Sequence, residues 1–170
     1  MPWRCVAERG NERVVLFVHG FGGDAEGTWR NAATGTYWPD LIATDPAMAI
    51  FDVCVLNYVS PLLGRASTIE EIAQRLLQQF RDRGFFTHYR EIHFVTHRMG
   101  GLITKRLLNE LNRPAELETL RRVRTVLFIS TPAQGATVAE VASWLSLNPQ
   151  TRDMAPADVN SFLQAIENQW

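Results

Sequence analysis

Two glycine-rich segments contain the residue types that could take part in chemistry. Residues 19–23 read HGFGG and directly follow an apolar run, and residues 96–101 read THRMGG and directly follow another. Glycines let the backbone turn sharply and leave its N–H groups free to bind a phosphate or a developing oxyanion. The first segment is not a P-loop, because no Lys-Ser or Lys-Thr pair follows it, and its glycine spacing differs from the G-x-G-x-x-G fingerprint of dinucleotide-binding proteins.

The second segment leaves no linker between a predicted strand and a predicted helix. A turn this abrupt is expected to hold its central residue, Arg98, in a strained backbone conformation and to direct its side chain over the edge of the sheet. Gly100 and Gly101 are expected to let the helix pack closely on the neighbouring strands. A guanidinium stays protonated in proteins, so Arg98 can neither attack a carbonyl nor accept a proton.

Short β-branched runs alternate along the chain with stretches of helical periodicity. Apolar runs such as 13–18 (RVVLFV) are typical of strands that are buried in a parallel sheet. Helices of this length between strands require crossover connections, so the pattern predicts an α/β protein with a mostly parallel sheet and helices on both faces, a three-layer α/β/α sandwich. The predicted strands are 13–18, 51–58, 91–96 and 123–130.

Three helices are predicted between and after these strands. The clearest begins at Ile69, where six apolar residues form one stripe; Ser67 or Thr68 can cap it and Gly84 ends it. The others cover 38–43 and, from Met99 to Leu111, the segment that Pro114 follows. Two more are expected in the tail, over 138–147 and 159–169.

The two glycine-rich segments, in this order and spacing, resemble the α/β-hydrolase superfamily. They are most similar to serine esterases and lipases whose turn between strand and helix, the nucleophile elbow, reads HSMGG. Residues 130–136 (STPAQGA) are similar to the STPxxG stretch of those enzymes, and residues 148–154 (NPQTRDM) resemble the segment that follows there. The resemblance covers about residues 12–170 and implies one α/β-hydrolase domain over 1–170, the N-terminal portion of the fold without its late strands.

The resemblance also assigns roles to individual residues. It implies that the backbone N–H groups of Phe21 and Met99 form an oxyanion hole, which stabilises the charge that develops on an ester carbonyl. His19 and His97 are expected to pack and form hydrogen bonds rather than catalyse, and Asp24 is expected to brace the loop. Four residues are expected to line the substrate site: Gly20, Gly22, His97 and Gly100.

Two departures from the family pattern affect catalysis. Arg98 stands where the family has its nucleophilic serine, so either a serine has been replaced in an active enzyme or the lineage has lost its chemistry. In this superfamily the acid and the histidine follow the nucleophile along the chain, yet none of residues 99–170 is a histidine. The implied activity is therefore that of a carboxylic-ester hydrolase, acting on a small ester or lipid in an intact relative, with this chain inactive as given.

An alternative interpretation is a pseudo-hydrolase that binds ligands or serves as a scaffold. Arg98 beside the N–H groups of a helix end could hold a carboxylate or a phosphate. A Rossmann-type nucleotide binder is a weaker third interpretation, because the fingerprint glycines and the distal acidic residue do not line up.

Composition narrows the expected partners. Seventeen basic and eighteen acidic residues leave a net charge of -1, which makes nucleic acids and anionic membranes poor candidates. The four histidines show no metal-ligand spacing, and we expect neither a metal nor a cofactor. The strand over 123–130 would leave an apolar edge exposed, which predicts a homo-oligomer through that edge or a tail helix that covers it.

Short segments of the sequence predict where the protein is located and what role its two cysteines have. The N-terminus lacks the apolar core of a signal peptide, and no apolar run approaches the length of a membrane helix, so we predict a cytoplasmic protein without an integral membrane segment. Cys5 and Cys54 are too few for a disulfide framework, and Cys54 is predicted to be a small buried hydrophobic residue.

Overall fold

The computed structural model describes residues 2–20, 22–58 and 69–131, and every structural statement below concerns these residues. Their strands form a single five-stranded sheet with the order β1-β3-β2-β4-β5. All neighbouring pairs are parallel except the β1–β3 pair, which is antiparallel. The strands are β1 (Trp3–Ala7), β2 (Arg13–Val18), β3 (Asp52–Leu56), β4 (Glu91–His97) and β5 (Val123–Ile129).

Helices cover both faces of this sheet, as the sequence pattern predicted. Alternate residues of β2 face opposite ways: Val14 and Leu16 belong to one apolar core, and Val15 and Phe17 belong to the other. The first core is closed by α2 and α4, and the second by α1 together with the loop after β2. The helices are α1 (Trp38–Thr44), α2 (Ile69–Asp82), α3 (Phe85–His88), α4 (Met99–Leu111) and α5 (Leu117–Leu120).

The predicted helices occur where the apolar stripes placed them. The α2 helix buries the whole predicted stripe, and it ends before Gly84, whose φ of 70° is the left-handed conformation that glycine tolerates. The capping candidates Ser67 and Thr68, and the tail helices expected over 138–147 and 159–169, lie outside the described residues.

The first strand was not predicted, and it changes the interpretation of both cysteines. β1 pairs with β3 so that Cys5 lies opposite Cys54, and the two side chains form a disulfide. Cys54 is fully buried, as predicted, but the disulfide itself was not predicted. Sequence spacing could not reveal the bond, because the two cysteines are 49 positions apart and meet only through the pairing of β1 with β3.

The register of the central strands places the two glycine-rich segments side by side. Val18, the last residue of β2, pairs with Thr96 of β4. Because β2 and β4 are parallel, His19 and Gly20, which follow β2, and the turn after β4 emerge at the same edge of the sheet. In open α/β sheets ligands bind at this edge, beyond the carboxyl ends of the strands.

Candidate active site

A single residue separates β4 from α4. β4 ends at His97 and α4 begins at Met99, so Arg98 alone makes the turn, with φ 51° and ψ −124°. Its N–H donates to the carbonyl of Ile129 at 2.9 Å, and its own carbonyl accepts from the N–H of Gly101 at 3.0 Å. A positive φ is uncommon outside glycine, and such a conformation costs roughly 1–3 kcal/mol. The predicted strained turn is confirmed.

Close packing at the start of α4 explains the two glycines that follow the turn. A Cβ on Gly100 would overlap the carbonyl oxygens of Val18 and His19. A Cβ on Gly101 would overlap the side chain of Thr131, just after β5. The predicted role of these glycines in bringing the helix onto the strand ends is confirmed.

The loop after β2 reaches the same turn. A Cβ on Gly20 would lie 3.2 Å from the Arg98 Cβ and 3.2 Å from the Met99 nitrogen. Met99 is the first residue of α4, and the first four N–H groups of a helix have no partner within it. The Gly20 backbone and the Met99 N–H, a hydrogen-bond donor, therefore both lie next to Arg98. Phe21, the other expected donor, lies outside the described residues.

His19 is the most deeply placed polar residue of this loop. Its imidazole is fully buried and stacks on the ring of Tyr58, with ring centroids 4.2 Å apart and planes inclined by 10°. Its Nδ1 lies 2.9 Å from the Gly20 carbonyl oxygen, which can only accept, so Nδ1 carries the proton. Burial lowers the pKa of His19, and the imidazole is therefore neutral at pH 7.

His97 packs on the opposite face of the sheet. Its ring lies edge-on to the buried Trp29, with centroids 5.9 Å apart. Burial, and to a smaller extent the charge of Arg98, lowers the pKa of His97. The packing predicted for both histidines is confirmed.

Asp24 fixes the far end of the loop. Its Oδ1 accepts the N–H groups of Gly27 at 2.6 Å and Glu26 at 2.7 Å. These two bonds, led by that from Gly27, lower the pKa of Asp24. The predicted bracing role is confirmed, and the positive φ of Gly22, 68°, shows why the loop contains glycine.

Several polar groups at this edge of the sheet have no partner among the described residues. The Arg98 side chain is exposed, and no carboxylate among the described residues pairs with it. Within the same part of the chain, three buried atoms at this edge have no hydrogen-bond partner: His19 Nε2, Trp29 Nε1 and Thr131 Oγ1. Unpartnered buried polar atoms are rare, and they mark places where a ligand or water completes the structure.

Sequence reasoning did not find every residue of this edge. Tyr58 was included in a predicted strand, and Trp29 was not singled out. Ser130, which follows β5, has a φ of 50°, close to the φ of 51° at Arg98. No group of acidic, histidine or cysteine side chains in the described ranges could hold a metal ion.

Residues 2–167 match the protein family described as Domain of unknown function (DUF7379). The chain belongs to this family. It is also similar to curated relatives named Protein SERAC1, with 31% identity over 148 residues to that of Bos taurus and 30% over 148 residues to that of Homo sapiens. Each match covers 74% of this chain but only 22% of the relative, so the chain spans less than a quarter of these proteins.

Solved structures share the architecture at low sequence identity. MenH from S. aureus superposes with a TM-score of 0.52 at 14% identity, covering 98% of this chain and 56% of that one. A lipase-esterase related protein from Clostridium acetobutylicum ATCC 824 gives a TM-score of 0.51 at 14% identity, covering 95% of this chain and 63% of that one. The chain has the α/β-hydrolase fold that its two glycine-rich segments implied.

Proposed function

We propose that this chain carries the site of a carboxylic-ester hydrolase, of the esterase and lipase lineage, in which Arg98 occupies the nucleophile position and prevents hydrolysis. The observation that carries the proposal is the backbone of Arg98, which makes a strained one-residue turn beside the Met99 nitrogen and Gly20. A binding loop needs no strained apex, whereas a nucleophile elbow requires one to present its side chain above the sheet.

The chemistry would proceed as follows with serine at position 98. The serine oxygen attacks the ester carbonyl and loses its proton to a base, the alcohol leaves, and water releases the acid. The N–H of Met99, with that of Phe21 as the second donor, stabilises the oxyanion. Because none of residues 99–170 is a histidine, we propose that the base comes from chain outside these residues.

The expected substrate is a small ester or a lipid with an apolar acyl chain. This substrate class follows from the fold lineage, and the name of the Clostridium protein agrees with it. Arg98 would place a charged, branched side chain where the acyl carbonyl should lie, so the unsubstituted chain is expected not to hydrolyse such esters.

The proposal is tested by Arg98→Ser in the protein at its natural length. We expect the serine variant to release p-nitrophenol from a short-chain p-nitrophenyl ester and to bind an alkyl phosphonate covalently, while the unsubstituted protein does neither. Arg98→Ala is the matched control, since it removes the guanidinium without adding a nucleophile. A folded serine variant that binds the phosphonate no better than the alanine variant would refute the proposal.

A second candidate function is anion binding, with this chain acting as a pseudo-hydrolase or scaffold. The observation that favours it is that Arg98 directly precedes α4, is exposed and has no ion-pair partner among the described residues. Titration with butyrate or inorganic phosphate tests it: Arg98→Ala should weaken binding, whereas Arg83→Ala, at an exposed arginine beyond the far end of α2, should not. Equal binding by both variants would reject this function.

The compartment and the assembly state remain predictions. No helix among the described residues combines the length and apolar character that crossing a bilayer requires. The Cys5–Cys54 disulfide weighs against the predicted cytoplasmic location, because disulfides persist mainly in oxidising compartments. The test is to unfold protein taken directly from cells and alkylate it without a reductant. If the disulfide forms in the cell, both cysteines should remain unmodified. Two alkylated cysteines would favour the cytoplasm.

The β5 edge gives the prediction on assembly a specific site. Leu127 is 46% exposed on this strand, and within the described ranges no strand pairs with the outer edge of β5. A homo-oligomer through this edge should dissociate in Leu127→Lys when measured by sedimentation velocity. A monomer at all concentrations before substitution would reject the homo-oligomer and leave the other predicted alternative, a tail helix that covers this edge.

A further inference from the structure

Tyr58 lies where two strand ends meet. It follows β3 by two residues, and β3 pairs in parallel with β2, so Tyr58 emerges beside the loop that begins at His19. The proposed reaction does not require a tyrosine at this place. Its contacts nevertheless lead to the turn at Arg98.

Two separate contacts join Tyr58 to one residue of the loop. The Tyr58 hydroxyl donates to the His19 carbonyl oxygen at 2.5 Å. The Tyr58 ring also stacks on the His19 imidazole, 4.2 Å away and inclined by 10°. The hydrogen bond fixes the orientation of the peptide group, and the stack restrains the side chain of the same residue.

The opposite side of that peptide is fixed by the helix. The His19 carbonyl lies so close to Gly100 that a Cβ there would overlap it. The peptide that joins His19 to Gly20 is therefore held between the Tyr58 hydroxyl and the first turn of α4. Gly20 in turn lies against the Met99 nitrogen, where its own Cβ would come within 3.2 Å.

We propose that Tyr58 is a positioning residue: through His19 it sets the placement of the Gly20 backbone relative to the Met99 N–H. The catalytic consequence of this placement rests on the proposed function, because the Met99 N–H matters for catalysis only if it binds an oxyanion. The placement itself does not depend on activity and can be tested in the chain that carries Arg98.

The first test uses Tyr58→Phe, which keeps the ring and removes the hydrogen bond. Tyr37→Phe is the matched control, because the Tyr37 hydroxyl also donates to a loop carbonyl, that of Ala25, at 2.6 Å in a buried position. In ¹H–¹⁵N spectra, Tyr58→Phe should shift the amide signals of Gly20 and Met99, and Tyr37→Phe should leave them in place. Unchanged signals in Tyr58→Phe, or equal shifts in both variants, would overturn the proposal.

The second test measures the catalytic consequence in the natural-length Arg98→Ser protein. Adding Tyr58→Phe should lower kcat by about ten-fold with KM changed by less than about two-fold, because a misplaced oxyanion donor acts on the transition state rather than on substrate binding. Adding Tyr37→Phe should change neither constant.

The two tests separate the two proposals. If the serine protein shows no turnover, the proposed function fails, and the amide signals still decide whether Tyr58 positions the loop. If the serine protein is active and Tyr58→Phe behaves like Tyr37→Phe, the proposed function stands and the role of Tyr58 is refuted.

Discussion

Buried polar groups at the two ends of the parallel strands differ in whether they have hydrogen-bond partners. At the edge where β3 begins, Asp52 is fully buried and both of its oxygens have partners. Oδ1 accepts the N–H groups of Arg9 at 2.9 Å and Asn11 at 3.2 Å, and Oδ2 accepts the hydroxyl of Tyr89 at 3.2 Å. Asp52 thus ties the β1–β2 loop and the start of β4 to β3.

At the edge where β2 and β4 end, the backbone is strained and buried polar atoms lack hydrogen-bond partners among the described residues. Arg98 and Ser130 hold positive φ angles there, and buried atoms of His19, Trp29 and Thr131 lack partners among the described residues. Strain and unsatisfied polar groups persist only where the rest of the fold overcomes their cost. The first edge therefore contributes stability, and the strain at the second supports the proposal that a ligand binds there.

The largest expected loss of stability follows substitution of Asp52, at the edge where β3 begins. Asp52→Ala would leave the buried Tyr89 hydroxyl and two partly buried N–H groups without an acceptor, and we expect the free energy of unfolding to fall by about 3 kcal/mol. Urea denaturation measures this, with Asp45→Ala as the control, because Asp45 accepts one N–H at an exposed cap and its loss should cost about 1 kcal/mol. Equal losses for the two variants would contradict the contrast between the edges.

A smaller loss of stability is expected when a side chain is added at the edge where β2 and β4 end. Gly100→Ala places a methyl group against the carbonyls of Val18 and His19, and we expect a destabilisation of about 2 kcal/mol from overpacking. Gly27→Ala is the control, because its Cβ would meet only the side chain of Asp24, at 3.2 Å. If Gly100→Ala is as stable as Gly27→Ala in thermal unfolding, the helix does not pack on the strand ends as described.

Sequence periodicity predicted the elements that position the site, because buried parallel strands and amphipathic helices leave patterns in consecutive residues. The turn at Arg98 was predictable for the same reason, since strand and helix patterns met with no linker between them. The glycines at 100 and 101 could be interpreted because close packing excludes side chains there.

The remaining features depend on neighbours that lie far apart in the sequence. β1 is only five residues long and lies at the outer edge of the sheet, so its sequence is too short to show a clear strand pattern. The disulfide requires that strand, and the stack of Tyr58 on His19 requires β2 and β3 to end side by side. The pattern of residues within a single segment cannot predict such contacts between distant segments.

The smallest expected effect on stability is that of pH, which acts through the buried His19 and the half-buried His97. Burial lowers the pKa values of His19 and His97, so below about pH 6.5 the unfolded chain binds protons that the folded chain does not. Stability should therefore fall as the pH decreases from about 7.5 to 5.5, before the carboxylates titrate. His97→Gln should reduce this slope in denaturation experiments. A stability that is constant or rises over that range would contradict the burial of these rings.

The central claim is that residue 98 makes a strained elbow, and a comparison of Arg98→Gly with Arg98→Ala tests it most directly. Glycine adopts a φ of 51° without strain and alanine does not, so the glycine variant should be more stable by about 1–2 kcal/mol in urea denaturation. The same pair at Asp45, where φ is −71°, measures the ordinary preference of a helix cap for glycine. A gap at 98 that clearly exceeds the gap at 45 is the predicted result; equal gaps, or a more stable alanine variant at 98, would contradict the account.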